Sequence, residues 1–512
     1  MGFFSRKKKK NNEHENFTLD IYKSLDKNIS NLKNMLEEPN DLVIREFTAG
    51  KTDHKCALAF IDGLINNDLV NDNVLKNLQV MAEWKELPAT SSDLFHAIKT
   101  ELISVSDVEI GKNLDDVSNA MLYGSAILYI DGFSKVLMMD VKGWQSRSIE
   151  QPPSETIIRG PREGFIENFR TNMVLIRRYI RDPNLRFKTY QVGRRSKKNL
   201  AVVYVDGIIH PDLLKEVQRR LESIDMDNAP ESSYIEQWIE DSFLSPFPQM
   251  LNTERPDAVA KAVLEGKFAI ILDGTPFVLI APVTIGNTLQ APEDYYERWS
   301  LGSTIRMLRY LAAFLAMFMP ALYIALVSYH QGMIPTKLAF SIAASREGVP
   351  FPAVVEALLM ALTMEMLREA SVRLPKAIGQ TIGIIGGLVI GEAAVNAGIV
   401  SPIMVIVVAL TAIASFTIPA YSVAISFRML RFGVMIAAAV FGLYGIILAY
   451  IMINIHIVNL RSIGVPYSSP FAPTFIRDWK DLVFRAPIPL LDERPDYLLP
   501  DDKKSADKRG KR

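Results

Sequence analysis

Apolar and polar positions divide this chain into two unlike parts. Up to about Arg309, short apolar runs alternate with charged stretches, whereas between Arg309 and Asn459 apolar residues dominate. In the first part, the run CALAFIDGLINNDLVNDNVLKNLQ carries Asp62-Gly63 at the end of a buried-type strand. LAVVYVDGIIHPDLLKEVQRRLES carries Asp206-Gly207 in the same place, 144 residues further on. Apolar positions at helical spacing follow each one. Pro39-Asn40 and Pro183-Asn184 keep the offset of 144. A second pair, LYGSAILYIDGFSKVL and LEGKFAIILDGTPFVL, sets Asp131-Gly132 over Asp273-Gly274 at an offset of 142. There Asp-Gly joins two apolar runs, as in a tight hairpin.

This is an internal duplication. Each copy is predicted as helix, strand, helix, further helix and β-hairpin. The result is two α/β subdomains over 28–149 and 172–300, with the repeat itself ending near 291. A basic tail (1–27) precedes them, and a linker over 150–171, rich in Pro and Arg, joins them. Glycine supplies the positive φ of a turn and aspartate bonds its own backbone there, so the repeated Asp-Gly pairs read as turns rather than as a metal or phosphate site. Tyr295, Tyr296 and Trp299 after the second copy suit an interfacial aromatic belt.

The second part, 301–460, reads as an all-α transmembrane domain. Apolar stretches at 311–329, 377–399, 403–426 and 432–455 are each long enough to span, with Ser401-Pro402 and the segment from Arg428 to Arg431 as short connectors. Ala353 to Arg373 is helical by composition but carries Glu356, Glu365, Arg368 and Glu369. Ala361, Glu365 and Glu369 share one stripe at 100° per residue, with Arg368 beside it. Acids are costly in lipid, so this helix is expected to lie in the interface as an amphipathic element or to face a pore or partner. Gly379, Gly383, Gly387 and Gly391 form successive GxxxG steps, a smooth ridge for close helix packing, and Glu392 follows in the same apolar stretch. Four crossings place both ends on the cytoplasmic side; a fifth, by the acidic helix, places them on opposite sides. The remaining 461–512 reads as an extended, Pro-rich cytoplasmic strap with a disordered end.

Composition adds exclusions. The formal net charge of +0 gives no global field for nucleic acid. One cysteine, Cys56, rules out an intrachain disulfide and argues against a thiolate zinc site. Neither a phosphate-binding glycine loop, a paired-histidine zinc motif nor a nucleophile elbow occurs, so the expectation is a protein without metal, cofactor or enzymatic site. MGFFSRKKKK lacks a signal-peptide core, and Lys7 to Lys10 read as a solvated tail or a contact to anionic headgroups.

Three strings carry a resemblance: LREASVRLPKAIGQTIGIIGGLVIGEAAVNAGIVSPIMVIVVALTAIASFTIPAYS, QPPSETIIRGPREGFIENFRTNMVLIRRYIRDPNL and the closing RPDYLLP. With the YVDGI-type strand ends, they resemble the A subunits of GerA-type spore germinant receptors, from about residue 40 to Pro500. The resemblance implies a multi-pass protein of the spore inner membrane. It also implies a transporter-like B subunit and a lipoprotein C subunit as partners. Such A subunits are expected to self-associate into a ring that conducts monovalent cations once nutrient is bound. Glu365, Glu369, Arg368, Glu356 and Glu392 are then the candidates for the conduction path. The alternative is a non-conducting scaffold that couples a nutrient-binding partner to downstream effectors.

Overall fold

In the computed structural model the described residues are 20–37, 39–49, 54–81, 91–105, 107–122, 124–141, 143, 151–152, 154–374 and 389–506. Gly379, Gly383, Gly387 and Lys7 to Lys10 lie outside them.

The first lobe opens with helix α1 (Leu25–Leu36), then strands β1 (Leu42–Thr48) and β2 (Lys55–Ile61). Helical turns over 67–81 and 91–102 follow, then β3 (Val108–Gly111), α2 (Leu114–Leu122) and the hairpin β4 (Ser125–Ile130) and β5 (Val136–Asp140). Its five strands order as β1-β2-β4-β5-β3, all antiparallel. Leu58 faces Leu128, and side chains alternate between two cores. Ala57, Ala59, Ile127 and Tyr129 pack under α1 and α2, while Cys56, Leu58, Ala126 and Leu128 pack under the 67–102 helices. Helices cover both faces, which is why β2 and β4 read as unbroken apolar runs rather than alternating ones.

The second lobe repeats this plan. Helix α3 (Phe169–Tyr179) leads to β6 (Leu185–Val192), β7 (Lys198–Val205), α4 (Pro211–Glu222), α5 (Ser232–Ile239), β8 (Leu251–Thr253), α6 (Pro256–Leu264), β9 (Phe268–Leu272) and β10 (Val278–Ala281). The strand order, β6-β7-β9-β10-β8, is equivalent. Two edge strands per lobe were not expected from the pattern. β1 mixes Arg45 and Glu46 into an exposed edge, and β8 is three residues long. The Asp-Gly turns dock the start of each lobe's first helix: Gly132 N donates to Lys23 O (2.8 Å) and Gly274 N to Glu167 O (2.9 Å). Cys56 is buried on β2, where burial first, and then the Asp131 charge, pushes its thiol up to about 12.

Beyond the lobes, α7 (Trp299–Ser328) leads to α8 (Thr336–Arg346), α9 (Ala353–Arg373), α10 (Gly391–Asn396), α11 (Pro402–Phe416) and α12 (Tyr421–Asn459). Two of these, α7 and α12, are long and apolar enough to cross a membrane. α12 is a helical hairpin. Phe427 and His456 both pack on the Phe247 ring, at 6.1 and 6.0 Å between centroids. A straight helix would hold them about 44 Å apart. The chain reverses at Gly442 (φ 59°, ψ −138°), and a Cβ at Gly445 would stand 2.0 Å from Ala437 O.

The expected span at 403–426 is divided. Pro419 has no N–H for a helical bond and disfavours helix at Ile418, so α11 ends at Phe416 and α12 starts at Tyr421. The supposed connector from Arg428 to Arg431 lies inside the first arm of α12, with both arginines buried.

Contacts fix helix direction. α7 rises from the lobes to Tyr329, whose hydroxyl donates to Ala439 O (2.5 Å) near the α12 turn. α11 starts beside Tyr323 and ends beside Ala312 and Ala316, so it runs back toward the lobes. The tail is folded rather than extended. Ser462 Oγ donates to Gln249 O (2.6 Å), Tyr497 hydroxyl to Asn287 Oδ1 (3.0 Å), and Asp502 N to Gly207 O (3.1 Å), fastening the tail along the second lobe.

Candidate functional site

Helix α9 is built from strong helix formers and stops before Pro375, which restricts the residue preceding it. Its charged residues go to three different places. Glu356 is fully buried: Ser401 N and Ser401 Oγ donate to its Oε1 at 2.6 and 2.5 Å, and Arg346 Nη2 stands 3.6 Å from Oε2. Ser401 in turn caps α11 by accepting from Met404 N (3.3 Å). Glu356 therefore fastens the start of α11 at the end remote from the lobes.

Glu365 sits at mid-depth among three arginines. Arg431 Nη2 donates to its Oε1 at 2.9 Å, while Arg368 Nη1 and Arg428 Nε lie 3.7 and 3.9 Å from Oε2. Arg368 also donates to Ser415 Oγ (3.1 Å) and covers the Phe416 ring. A small cavity opens here between α7, α9, α11 and the first arm of α12. Glu369 is exposed and paired with Arg373 in the next turn, at 2.6 Å. Glu392 is exposed on α10, and Gly391 is buried with Val405 3.5 Å from where its Cβ would stand. The stripe through Ala361, Glu365 and Glu369 thus runs from the bundle interior to its surface.

A second ionic centre lies at the base of α7. Asp294 receives Arg306 Nε (3.0 Å) and both Arg309 Nη groups (3.0 Å each). From the tail, Asp481 Oδ1 accepts Arg306 Nη1 at 2.8 Å, and Asp481 Oδ2 accepts the Tyr295 hydroxyl at 2.5 Å. Arg485 Nη1 caps Asp294 O and Glu297 O at 2.8 and 3.0 Å. Burial pushes the Asp294 carboxyl up, but the Arg309 hydrogen bonds and the Arg309 and Arg306 charges outweigh it and hold the group below its usual range. Tyr295 and Tyr296 are consumed by this polar joint, Tyr296 bonding Asp257, so of the expected belt Trp299 alone is exposed.

The missed partners were Arg428, Arg431, Arg306, Arg309, Asp294 and Asp481. The signal was available: arginine pairs three residues apart inside apolar helical stretches require buried acids. Among the described residues, no group of three or more His, Cys, Asp or Glu side chains is placed to hold a metal ion.

Two α/β lobes, locked through a buried ionic joint to an apolar helical domain built on the long α7 and the α12 hairpin, define a membrane-associated protein. The chain belongs to the GerA family of spore germination proteins. The family model described as Bacillus/Clostridium GerA spore germination protein matches residues 30–497. The chain is 48% identical over 484 residues to spore germination protein GerLA of Bacillus cereus, covering 94% of this chain and 97% of that one. It is 45% identical to spore germination protein KA of Bacillus subtilis, covering 94% and 88%. Among solved structures, it is similar to the N-terminal domain of the A subunit of the Bacillus megaterium spore germinant receptor GerK3. There the identity is 31%, the cover 52% of this chain and 97% of that one, and the TM-score 0.42.

Proposed function

We propose that this chain is the A subunit of a nutrient-sensing germinant receptor in the spore inner membrane, acting with a transporter-like B subunit and a lipoprotein C subunit. Copies of the chain self-associate in membrane lipid and enclose a path for monovalent cations that opens on nutrient binding. The observation that carries this reading is α9. It is fixed inside an apolar bundle by Glu356 and Glu365, yet it leaves Val355, Leu359, Leu362, Met366 and Glu369 exposed along its outer face. An apolar face bearing an acid calls for lipid on one side and a neighbour or water-filled path on the other.

In this reading Glu369 and Glu392 offer carboxylates to the path, while Glu356, Glu365 and Arg368 set the position of α9. Helices α7, α9 and α11 and the two arms of α12, together with the span expected from the sequence over 377–399, most of which lies outside the described residues, make six passages. That even number keeps the lobes and the tail together on the cytoplasmic side, in keeping with the tail's bonds to the second lobe.

One observation favours the non-conducting scaffold instead: Glu365 is neutralised by three arginines within its own chain. Potassium release separates the two readings. Spores lacking the gene are complemented with wild type or Glu369→Gln, and release is compared at equal receptor content after nutrient addition. The conducting reading expects a several-fold change in release rate. Unchanged release from a normally assembled receptor would leave the scaffold.

A further inference from the structure

We infer that the mid-depth cavity of the helical domain is a binding site for one small inorganic anion of the halide class. The site is defined by geometry and charge, and does not depend on the conducting reading. The cavity is lined by Pro320, Ala361, Met364, Val408, Thr411 and Ala412 together with Glu365, Arg368 and Arg431. Arg428 approaches the same carboxylate from one turn before Arg431.

Three guanidinium groups therefore meet one carboxylate, with side-chain exposures of 14%, 10% and 5% for Arg368, Arg428 and Arg431. Arginine stays protonated, so the cluster carries two uncompensated positive charges within apolar walls. Buried charge left unpaired in this way is strongly unfavourable. The donors point to the same deficit. Arg368 Nε and Nη1 and Arg431 Nε are buried and meet no hydrogen-bond acceptor among the described residues. The segment 375–388, between α9 and α10 in the sequence, contains no Asp or Glu to balance the excess charge.

Size selects the ligand. At about 10 Å³ the cavity holds roughly one water-sized occupant. A single monatomic halide is the simple inorganic anion nearest this scale. An occupying halide accepts from the idle arginine N–H groups, lowers the cluster's excess charge, and ties α9 to α11 and α12. Release of the ion would free Arg368 and Arg431 to repel one another, so occupancy biases the relative position of these helices.

The test uses the full-length chain purified in detergent, with thermal unfolding followed in sodium chloride, sodium bromide and sodium gluconate at equal ionic strength. Wild type is expected to gain a saturable rise in Tm with either halide and none with gluconate. Glu365→Gln removes the competing negative charge, so its half-saturating halide concentration should fall by about tenfold or more. This variant keeps the test decisive where Arg431→Gln fails to fold. Identical midpoints in halide and gluconate for both wild type and Glu365→Gln would overturn the site. So would stabilisation by phosphatidylglycerol vesicles with no halide response, which would assign the arginines to a lipid headgroup.

Discussion

The two lobes share a fold but carry different loads. Equivalent bonds recur at equivalent positions: Ile21 N donates to Lys112 O, and Phe165 N to Glu254 O, at 3.4 and 2.7 Å. At the start of the next helix the lobes part. Asn113 in the first lobe makes an ordinary cap, accepting from Asp116 N at 2.7 Å. The second lobe has Arg255 there instead, fully buried, bonding Asp257 at 2.7 Å and the linker carbonyls of Glu155 and Pro161. Tyr296 bonds the same Asp257, so the network continues toward α7.

The lobes stand in a mechanical order. The first lobe reaches the helical domain through the second, held by Arg177–Asp41 (2.8 Å), Arg186–Glu37 (3.6 Å) and Arg170–Asp62. The second lobe is joined to α7 directly and again through the tail. The lobes therefore meet the helices at the joint around Asp294, through the tail, and where Phe247 packs on Phe427 and His456 of α12.

The largest break in this comparison is expected from Asp294→Ala, which leaves Arg306 and Arg309 buried without their main counter-charge. Removing one partner of a buried pair costs about 3–5 kcal/mol. By contrast Asp62→Ala, whose partner Arg170 is 75% exposed, should cost less than about 1 kcal/mol. Thermal unfolding of the two variants as full-length protein in detergent checks this. Equal midpoints would remove the special standing of the α7 joint.

A second contrast is set by pH, because the linker docks on the second lobe through Glu155. Burial pushes this carboxyl up to about 7, against the pull of hydrogen bonds from Thr253 Oγ1 and Glu254 N and of the Arg255 charge. A folded-state value raised above the ordinary 4.5 means that this contribution is present at low pH and is lost as pH climbs through about 7. Wild type should therefore lose stability relative to Glu155→Gln between about pH 5 and about pH 8. Parallel curves for the two proteins would show that Glu155 does not titrate there.

Much of this was legible in the residues. The duplication, the central strands and the hairpin turns follow from apolar runs ending in Asp-Gly, because a buried strand and a positive-φ turn leave strong local marks. The edge strands left none: Arg45 and Glu46 look like loop, and β8 is too short to show a period. The α12 hairpin escaped because Gly442 and Gly445 sit inside a run that is apolar on both sides, where a reversal and a continuation have the same composition. Glu365 and Arg368 were found as a charged pair on α9, but Arg428 and Arg431 lie far along the chain from them. Only the packed bundle brings them together, and with them the sense of the cluster changes from acidic to basic.

The smallest effect sharpens the likeness between the lobes rather than the difference. Gly132 and Gly274 hold the same hairpin turn at φ 88° and 86°. Alanine at Gly132 would meet nothing within 4 Å, and at Gly274 it would meet the far end of the Lys198 side chain, with Nζ at 3.0 Å. Backbone strain is thus the common cost, about 1–2 kcal/mol for a left-handed alanine. Gly132→Ala and Gly274→Ala should therefore lower stability to within a few tenths of a kcal/mol of each other. Thermal midpoints of the full-length variants measure this. A markedly larger loss at Gly274 would mean that the turn in the second lobe bears on the joint to the helical domain, and is more than a repeated element of the fold.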